Sequence, residues 1–262
     1  MPIAPLAKLT SWSYSVYTQY MKCPMSVMFD KIKRIRIVEP PNPHFIKGNA
    51  VHDGAARYIL TPDKALPALL RELKKKPLPV KDIPVLPPTY DLLKGVEDRL
   101  KAFRALKAAA ELEWAFTKDW LPTRWDNWTG AWLRVKTDVC AEDLTGAAPL
   151  IQITDWKTGR LYDDHKQQRS LYALTGLQMV ELGLLADGRK DVKLVVEHTY
   201  IDTAQSATEV FTMKDLKPLK REWLLRIKQM MNDTVYCAKP SAHACRYCKF
   251  RKSAGGPCPE NM

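Results

Sequence analysis

The order of apolar and polar positions divides the 262-residue chain into segments before any single residue is weighed. Residues 11–37 carry Val16, Tyr17, Tyr20, Val27 and Met28 at roughly helical spacing, with Ser11 or Ser13 available as a cap. Pro24 falls inside this stretch, so a break or kink is expected at Cys23, and Pro40, Pro41 and Pro43 should end the helix. A second helix is expected from about Lys47 to Leu60. Residues 61–90 hold seven of the nineteen prolines and the run Lys74-Lys75-Lys76, which predicts an irregular insertion instead of a core element. Helical period returns over 91–119, with Leu93, Val96, Leu100 and Phe103 on one face.

The period then changes. Ala131–Val139 alternates like a half-buried strand, Leu150–Lys157 is another, and Asp143-Leu-Thr-Gly146 supplies the turn between them. A long helix is expected from about Asp163 to Leu182. Strands at Lys193–Ile201 and Glu209–Met213 come next, then a basic helix from Lys214 to about Val235. There is no internal repeat. This order predicts an α/β core with helical additions.

Composition adds bounds. With 46% hydrophobic and 27% charged residues, the chain has the make-up of an ordinary soluble protein and is long enough to bury a full core. No apolar run reaches the roughly 18 to 20 residues of a membrane span. The start, Met1-Pro-Ile-Ala-Pro-Leu-Ala-Lys8, lacks the features of a signal peptide, so a cytoplasmic setting is expected. The net charge of +12 and pI near 9.4 favour a polyanionic partner. The excess is concentrated at the ends: six Lys and Arg against Asp30 in residues 1–38, and eleven against three acids in residues 214–252. Six cysteines in a cytosolic chain argue against disulfides, and the crowding of Cys245, Cys248 and Cys258 points to a metal or cluster.

One constellation carries chemistry. Asp138 is placed at the end of one expected strand and Asp155 at the end of the next, with Lys157 two residues further on. Residues i and i+2 of a strand face the same side, so Asp155 and Lys157 share one space and strand pairing brings Asp138 beside them. Two carboxylates are hard oxygen ligands for Mg²⁺ or Mn²⁺, and an adjacent ammonium can orient a water or stabilise developing negative charge.

These residues, read as Asp138…Asp155-Trp-Lys-Thr-Gly159, resemble the signature of the PD-(D/E)XK nuclease superfamily. The chain is most similar in pattern to its RecB-like branch, including CRISPR-associated RecB-type exonucleases and phage relatives. Gly48-Asn-Ala-Val-His52 resembles that branch's histidine motif, which implies His52 as a further metal ligand. Gln168-Arg-Ser-Leu-Tyr172 resembles its Gln-x-x-x-Tyr helix; four residues apart, Gln168 and Tyr172 share a helix face. Glu113 is a further candidate acid from the preceding helix. Ser11-Trp-Ser-Tyr…Cys23-Pro and Cys245-Arg-Tyr-Cys248…Cys258-Pro resemble the segments that carry the branch's four cluster cysteines.

Cys245-x-x-Cys248 is tight enough for one metal centre, with Cys23 and Cys258 completing four ligands. Thiolates suit Zn²⁺ and an iron–sulfur cluster alike, and the resemblance favours [4Fe–4S]. Cys237 is the substitute for Cys258, and Cys140 is expected in the core. Such a cluster would close a loop of over two hundred residues and set a basic cap over the acidic site.

The resemblance implies one RecB-like domain over 1–262 with a restriction-endonuclease-like mixed sheet flanked by helices. Residues 1–60 and 214–262 would form a helical and cysteine-cluster cap, and 91–213 the nuclease core. The expected activity is metal-dependent hydrolysis of DNA, as an exonuclease on single-stranded ends, with Asp138, Asp155, Lys157, Gln168 and Tyr172 catalytic and His52, Asp138 and Asp155 holding Mg²⁺ or Mn²⁺. DNA is the expected partner, with a homo-oligomer or recombination or CRISPR proteins as others. Phage recombination, host repair and CRISPR spacer processing all fit. The rival readings are a non-cleaving binding or adaptor protein of the same fold and a zinc-stabilised DNA-binding protein.

Overall fold

Prolines set the first helical boundaries. In the computed structural model, which describes residues 6–39, 42–77, 85–159 and 165–260, helix α1 (Tyr14–Lys22) starts beneath Ser13, whose hydroxyl accepts the Val16 N–H. It stops at Cys23, which is extended because a residue preceding proline is pushed out of the helical region. Pro24 opens the short α2 (Pro24–Val27), and a π-helical turn follows at Met28–Ile32. The chain leaves the helix here and not at residue 37. Arg34 turns left-handed (φ 53°), and the Ile35 N–H reaches back to the Phe29 carbonyl at 2.9 Å. Pro43, expected to terminate a helix, instead opens one. In α3 (Pro43–Leu60) the Asn42 side chain accepts the His44 and Phe45 N–H groups.

The Pro-rich stretch is corrected in part. Helix α4 (Leu66–Lys75) runs through it, with Leu66, Leu69, Leu70 and Leu73 buried in the core. Pro67 lies in the first turn, where its missing N–H costs no helical bond, so the prolines hid a leucine stripe. Residues 78–84 lie outside the described residues. A 3₁₀ helix at Pro87–Val96 leads into α5 (Glu97–Ala105), and Leu93, Val96, Leu100 and Phe103 are all buried, as their shared face requires.

The expected helix over 91–119 ends early. Lys107 turns left-handed (φ 52°), the Ala108 N–H bonds the Phe103 carbonyl at 2.9 Å, and strand β1 (Ala109–Phe116) follows. Then come β2 (Pro122–Thr123), β3 (Leu133–Asp143), β4 (Leu150–Lys157) and α6 (His165–Glu181). The expected start of α6 at Asp163 lies outside the described residues. Strands β5 (Lys193–Tyr200) and β6 (Gln205–Phe211) and helices α7 (Leu216–Asn232) and α8 (Ala242–Arg246) complete the order.

The strands form one mixed sheet in the order β2-β1-β3-β4-β5-β6. β3 and β4 are antiparallel, β4 and β5 parallel, and β5 and β6 antiparallel, with α6 as the crossover that a parallel pair needs. This is the α/β, restriction-endonuclease-like arrangement. Among the described residues no helix is long and apolar enough to cross a membrane.

The chain divides into two compact units. One comprises Met1–Pro40, Ala115–Arg134 and Arg221–Met262 and is built around aromatics. Trp12 stacks on Trp223 (5.6 Å) and meets the edge of Trp132 (5.7 Å), while Tyr17 meets Trp223 edge-on (5.4 Å). The other comprises Pro41–Trp114 and Val135–Lys220. There α3, α4 and α5 cover one face of the sheet, packing on Val139, Ala141 and Trp156. Helix α6 covers the other, where a methyl on Gly176 would meet Ile153 Cδ1 at 2.7 Å.

Candidate active site

Every acidic and basic residue singled out from the sequence as catalytic lies in the second unit. β3 pairs with β4 from Asp143↔Leu150 to Val139↔Thr154. Beyond that register Asp138 Oδ2 accepts the Trp156 N–H at 2.7 Å, so a side chain takes the place of a ladder carbonyl. Asp138 therefore lies within β3 and not at its end, since the strand continues to Asp143.

Asp155 and Lys157 face the same side of β4, with Lys157 Nζ 2.5 Å from Asp155 Oδ2. The other oxygen, Oδ1, accepts the Tyr172 hydroxyl at 2.6 Å. Gln168 closes the circuit: its Nε2 donates to Tyr172 Oη (2.8 Å) and its Oε1 accepts from Lys157 Nζ (2.9 Å). Two residues one turn apart on α6 thus brace two residues two apart on β4. The chain leaves β4 at Gly159, whose φ of 124° only glycine adopts without strain.

His52, on α3, places Nδ1 3.2 Å from Asp138 Oδ1. A third residue joins them. Glu111, on β1, offers a carboxylate oxygen such that ligand atoms of His52, Glu111 and Asp138 all lie within 4.8 Å of one another. Its Oε2 pairs with Lys136 Nζ at 2.7 Å, while its buried Oε1 has no hydrogen-bond partner. Glu111 also holds a left-handed backbone (φ 57°) inside a strand, a costly conformation for a residue with a side chain. Glu113, the acid proposed from the sequence, is exposed on the same strand and outside this group.

Charge in this space is strongly partitioned. Burial and the charge of Asp155 push the Asp138 carboxyl above its ordinary pKa. Burial acts the same way on Asp155, but Lys157 and the Tyr172 hydroxyl outweigh it and hold that carboxyl below the ordinary range. Burial would lower His52, yet the Asp138 carboxylate raises it to about 8. Tyr172 is pushed well up by burial and by Asp155, so it stays a donor.

A second histidine was not foreseen. His198 on β5 lies directly across the parallel ladder from Asp155 and is fully buried. Burial takes its pKa down to about 3, so it is neutral. Arg169 Nη1 lies 3.4 Å from its Nδ1 and can only donate, which leaves the proton on Nε2, 3.8 Å from Asp155 Oδ2.

The first unit holds every cysteine but Cys140. Cys23, Cys245, Cys248 and Cys258 all line one cavity of about 380 Å³, and all are free thiols. Cys23 arrives from the break between α1 and α2; Cys245 belongs to α8, capped by Ser241. Burial and the neighbouring Cys23, Cys258 and Cys245 push the Cys248 thiol up. Cys237 is exposed and outside the cavity. Cys140 is buried in β3, its thiol pushed up to about 12 by burial.

Residues 11–253 match the family model described as the PD-(D/E)XK nuclease superfamily. No curated protein matches the chain. Among solved structures, the crystal structure of SSO0001 aligns over 97% of this chain and 88% of its own, at 14% identity and a TM-score of 0.35, a likeness too distant to carry an argument.

Proposed function

The chain belongs to the PD-(D/E)XK nuclease superfamily, and from that premise we propose that it is a metal-dependent deoxyribonuclease of the RecB-like kind, trimming single-stranded ends. The observation that carries the reading is the convergence of His52, Glu111 and Asp138 beside the Asp155–Lys157 pair. An imidazole with several carboxylate oxygens, one of them buried without a partner, suits Mg²⁺ or Mn²⁺. His52, Glu111, Asp138 and Asp155 would hold the ion. Bound there, such a cation lowers the pKa of a coordinated water and stabilises charge on a phosphoryl oxygen.

The remaining residues have their own tasks. Lys157, pinned by Asp155 and Gln168, presents a fixed ammonium to the attacking water or to the phosphate. Tyr172 holds Asp155 in one rotamer, and the His198 Nε2–H faces the same carboxylate. None of these groups needs to move for the site to form, which is the condition for electrostatic preorganisation.

Four cysteines of the first unit, free thiols lining one cavity, suit a [4Fe–4S] cluster by donor type, the centre that the resemblance to the RecB-like branch implies. When bound, the cluster supplies a structural tie between Cys23 and residues 245–258. The net charge of +12 supports DNA as substrate. The deciding experiment is digestion of end-labelled single-stranded and duplex DNA with Mg²⁺, Mn²⁺ or EDTA. Metal-dependent shortening from single-stranded ends is expected. Absence of cleavage with either metal by protein that binds the same DNA would overturn the reading.

A further inference from the structure

The first unit carries a second opening, a groove of about 730 Å³ that shares only Asp30 with the lining of the cysteine cavity and none of His52, Glu111, Asp138 and Asp155. Its walls bring Lys8, Lys31, Arg34 and Arg36 together with Arg134 and Trp128. The one acid lining it, Asp30, is already engaged, 3.0 Å from Lys31 and 3.5 Å from Lys249. The groove is therefore strongly positive, and Lys8, Arg34 and Arg36 are exposed.

Trp128 is the unusual member. It is 73% exposed, whereas Trp12, Trp120, Trp132 and Trp223 are all buried. Its loop is nonetheless cross-braced by hydrogen bonds. Arg134 donates through Nε to the Trp125 carbonyl and through Nη2 to the Asn127 carbonyl, both at 3.0 Å. Asn127 in turn donates to Thr123 Oγ1 at 2.9 Å and accepts the Gly130 N–H at 2.9 Å. The guanidinium then backs the indole at 4.6 Å from its centroid. Arg134, bonded to the Trp125 and Asn127 carbonyls, acts as a prop for the loop, and the four outer cations are the groups placed for phosphate contact. A large aromatic face is held open to solvent by these four hydrogen bonds and a cation, beside a row of basic side chains.

One further detail points to a ligand. Trp12, 2% exposed, is among the groove's lining residues, and its buried indole N–H has no acceptor.

We propose that this groove binds single-stranded DNA, with Lys8, Lys31, Arg34 and Arg36 contacting successive phosphates and an unpaired base stacked on Trp128. The proposal rests on the nuclease reading above and adds to it the place where the strand is held. An exposed ring selects for bases whose faces are free, and a basic groove without one would serve duplex and single strand alike. The pre-set ring spends no ordering entropy on binding.

The test measures binding and cutting separately. Fluorescence anisotropy of a labelled oligothymidine, and of a duplex of the same length, is recorded in EDTA for wild type, Trp128→Ala, Trp128→Phe and the double variant Arg34→Glu/Arg36→Glu. Trp128→Ala should weaken single-strand binding by about tenfold or more with little change for duplex, and Trp128→Phe should restore most of it. The double charge reversal should weaken both and flatten the salt dependence. Unchanged single-strand affinity in Trp128→Ala, or equal losses on both substrates, would overturn the proposal. Cleavage of the same oligothymidine with Mn²⁺ keeps the two readings apart. A wild type that cuts, joined to a Trp128→Ala that binds normally, removes the groove and leaves the nuclease. A wild type that never cuts, joined to a Trp128→Ala that loses the strand, does the reverse.

Discussion

The Tyr172 hydroxyl donates to Asp155 Oδ1 at 2.6 Å while Lys157 holds Oδ2, so the two oxygens of one buried carboxylate are fixed from two different elements. Tyr172→Phe removes one of the two donors and leaves the other. A hydrogen bond to a charged group contributes about 1.5–3 kcal/mol, and with Lys157 still in place the lower figure applies. We expect a loss of about 1.5 kcal/mol in stability and, if the same energy is lost from positioning, a fall of about tenfold in cleavage rate. Denaturant unfolding and single-turnover cleavage on the same variant check both.

Asp138→Ala and Asp155→Ala should bring cleavage below detection, and Lys157→Ala should lower it by about 10²–10³-fold, the usual cost of removing one preorganised charge partner. DNA binding in EDTA should survive in all three. Wild-type rates in any one of them would relocate the active site.

Glu111→Gln keeps the shape of the side chain and removes the charge that faces His52 and Asp138. Mn²⁺ affinity, read by isothermal titration, should drop by about tenfold or more. Glu113→Gln, two residues along the same strand but exposed, should bind Mn²⁺ as wild type does. Equal effects of the two substitutions would remove Glu111 from the ligand set.

Replacing Cys23, Cys245, Cys248 or Cys258 by Ser should each lose iron and sulfide and lower the melting temperature, because a group bound only by the native state stabilises it by mass action. Cys237→Ser and Cys140→Ser should keep full metal content. Elemental analysis of anaerobically purified variants decides it; zinc in place of iron would refute the cluster while keeping the ligands.

Asp233 offers a pH test away from the acidic site. Burial would raise its carboxyl, but the N–H groups of Tyr236 and Val235 and the Tyr20 hydroxyl outweigh burial and hold it below the ordinary value. A depressed carboxylate contributes stability that is present above its unfolded pKa of about 3.9 and lost as pH falls through the folded one. The gap in melting temperature between wild type and Asp233→Asn should therefore be widest at neutral pH and close in acid. A gap that is constant with pH would show that the carboxylate's charge contributes nothing.

Much of the site was legible because its residues are grouped by local periodicity. The two-residue spacing of Asp155 and Lys157 on a strand, and the four-residue spacing of Gln168 and Tyr172 on a helix, place each pair on one face without any knowledge of the fold. What escaped depends on register and on unusual backbone. His198 faces Asp155 only through the parallel pairing of β4 with β5, which no local pattern encodes. Glu111 was lost because helix α5 gives way at Lys107, left-handed without the glycine that normally announces such an end; Arg34 closes the first helical stretch in the same way. Glu111 and Glu113 do alternate with Leu112 and Trp114, and that period-two signal would have identified the strand. The leucines of α4 were likewise hidden by prolines that fall in turns and at a helix start.

Trp156 lies between Asp155 and Lys157 yet points to the opposite face, into the packing of α3 and α5, where Phe103 meets it edge-on at 5.9 Å. Strand β4 is thus read on both sides at once. Insertion or deletion of a single codon within it would exchange the two faces, putting an indole beside Asp138 and Tyr172 and an aspartate and a lysine in a hydrocarbon interior. The turn from 144 to 149 can take an added residue without moving either face, but the length of β4 is fixed by two unrelated demands at once.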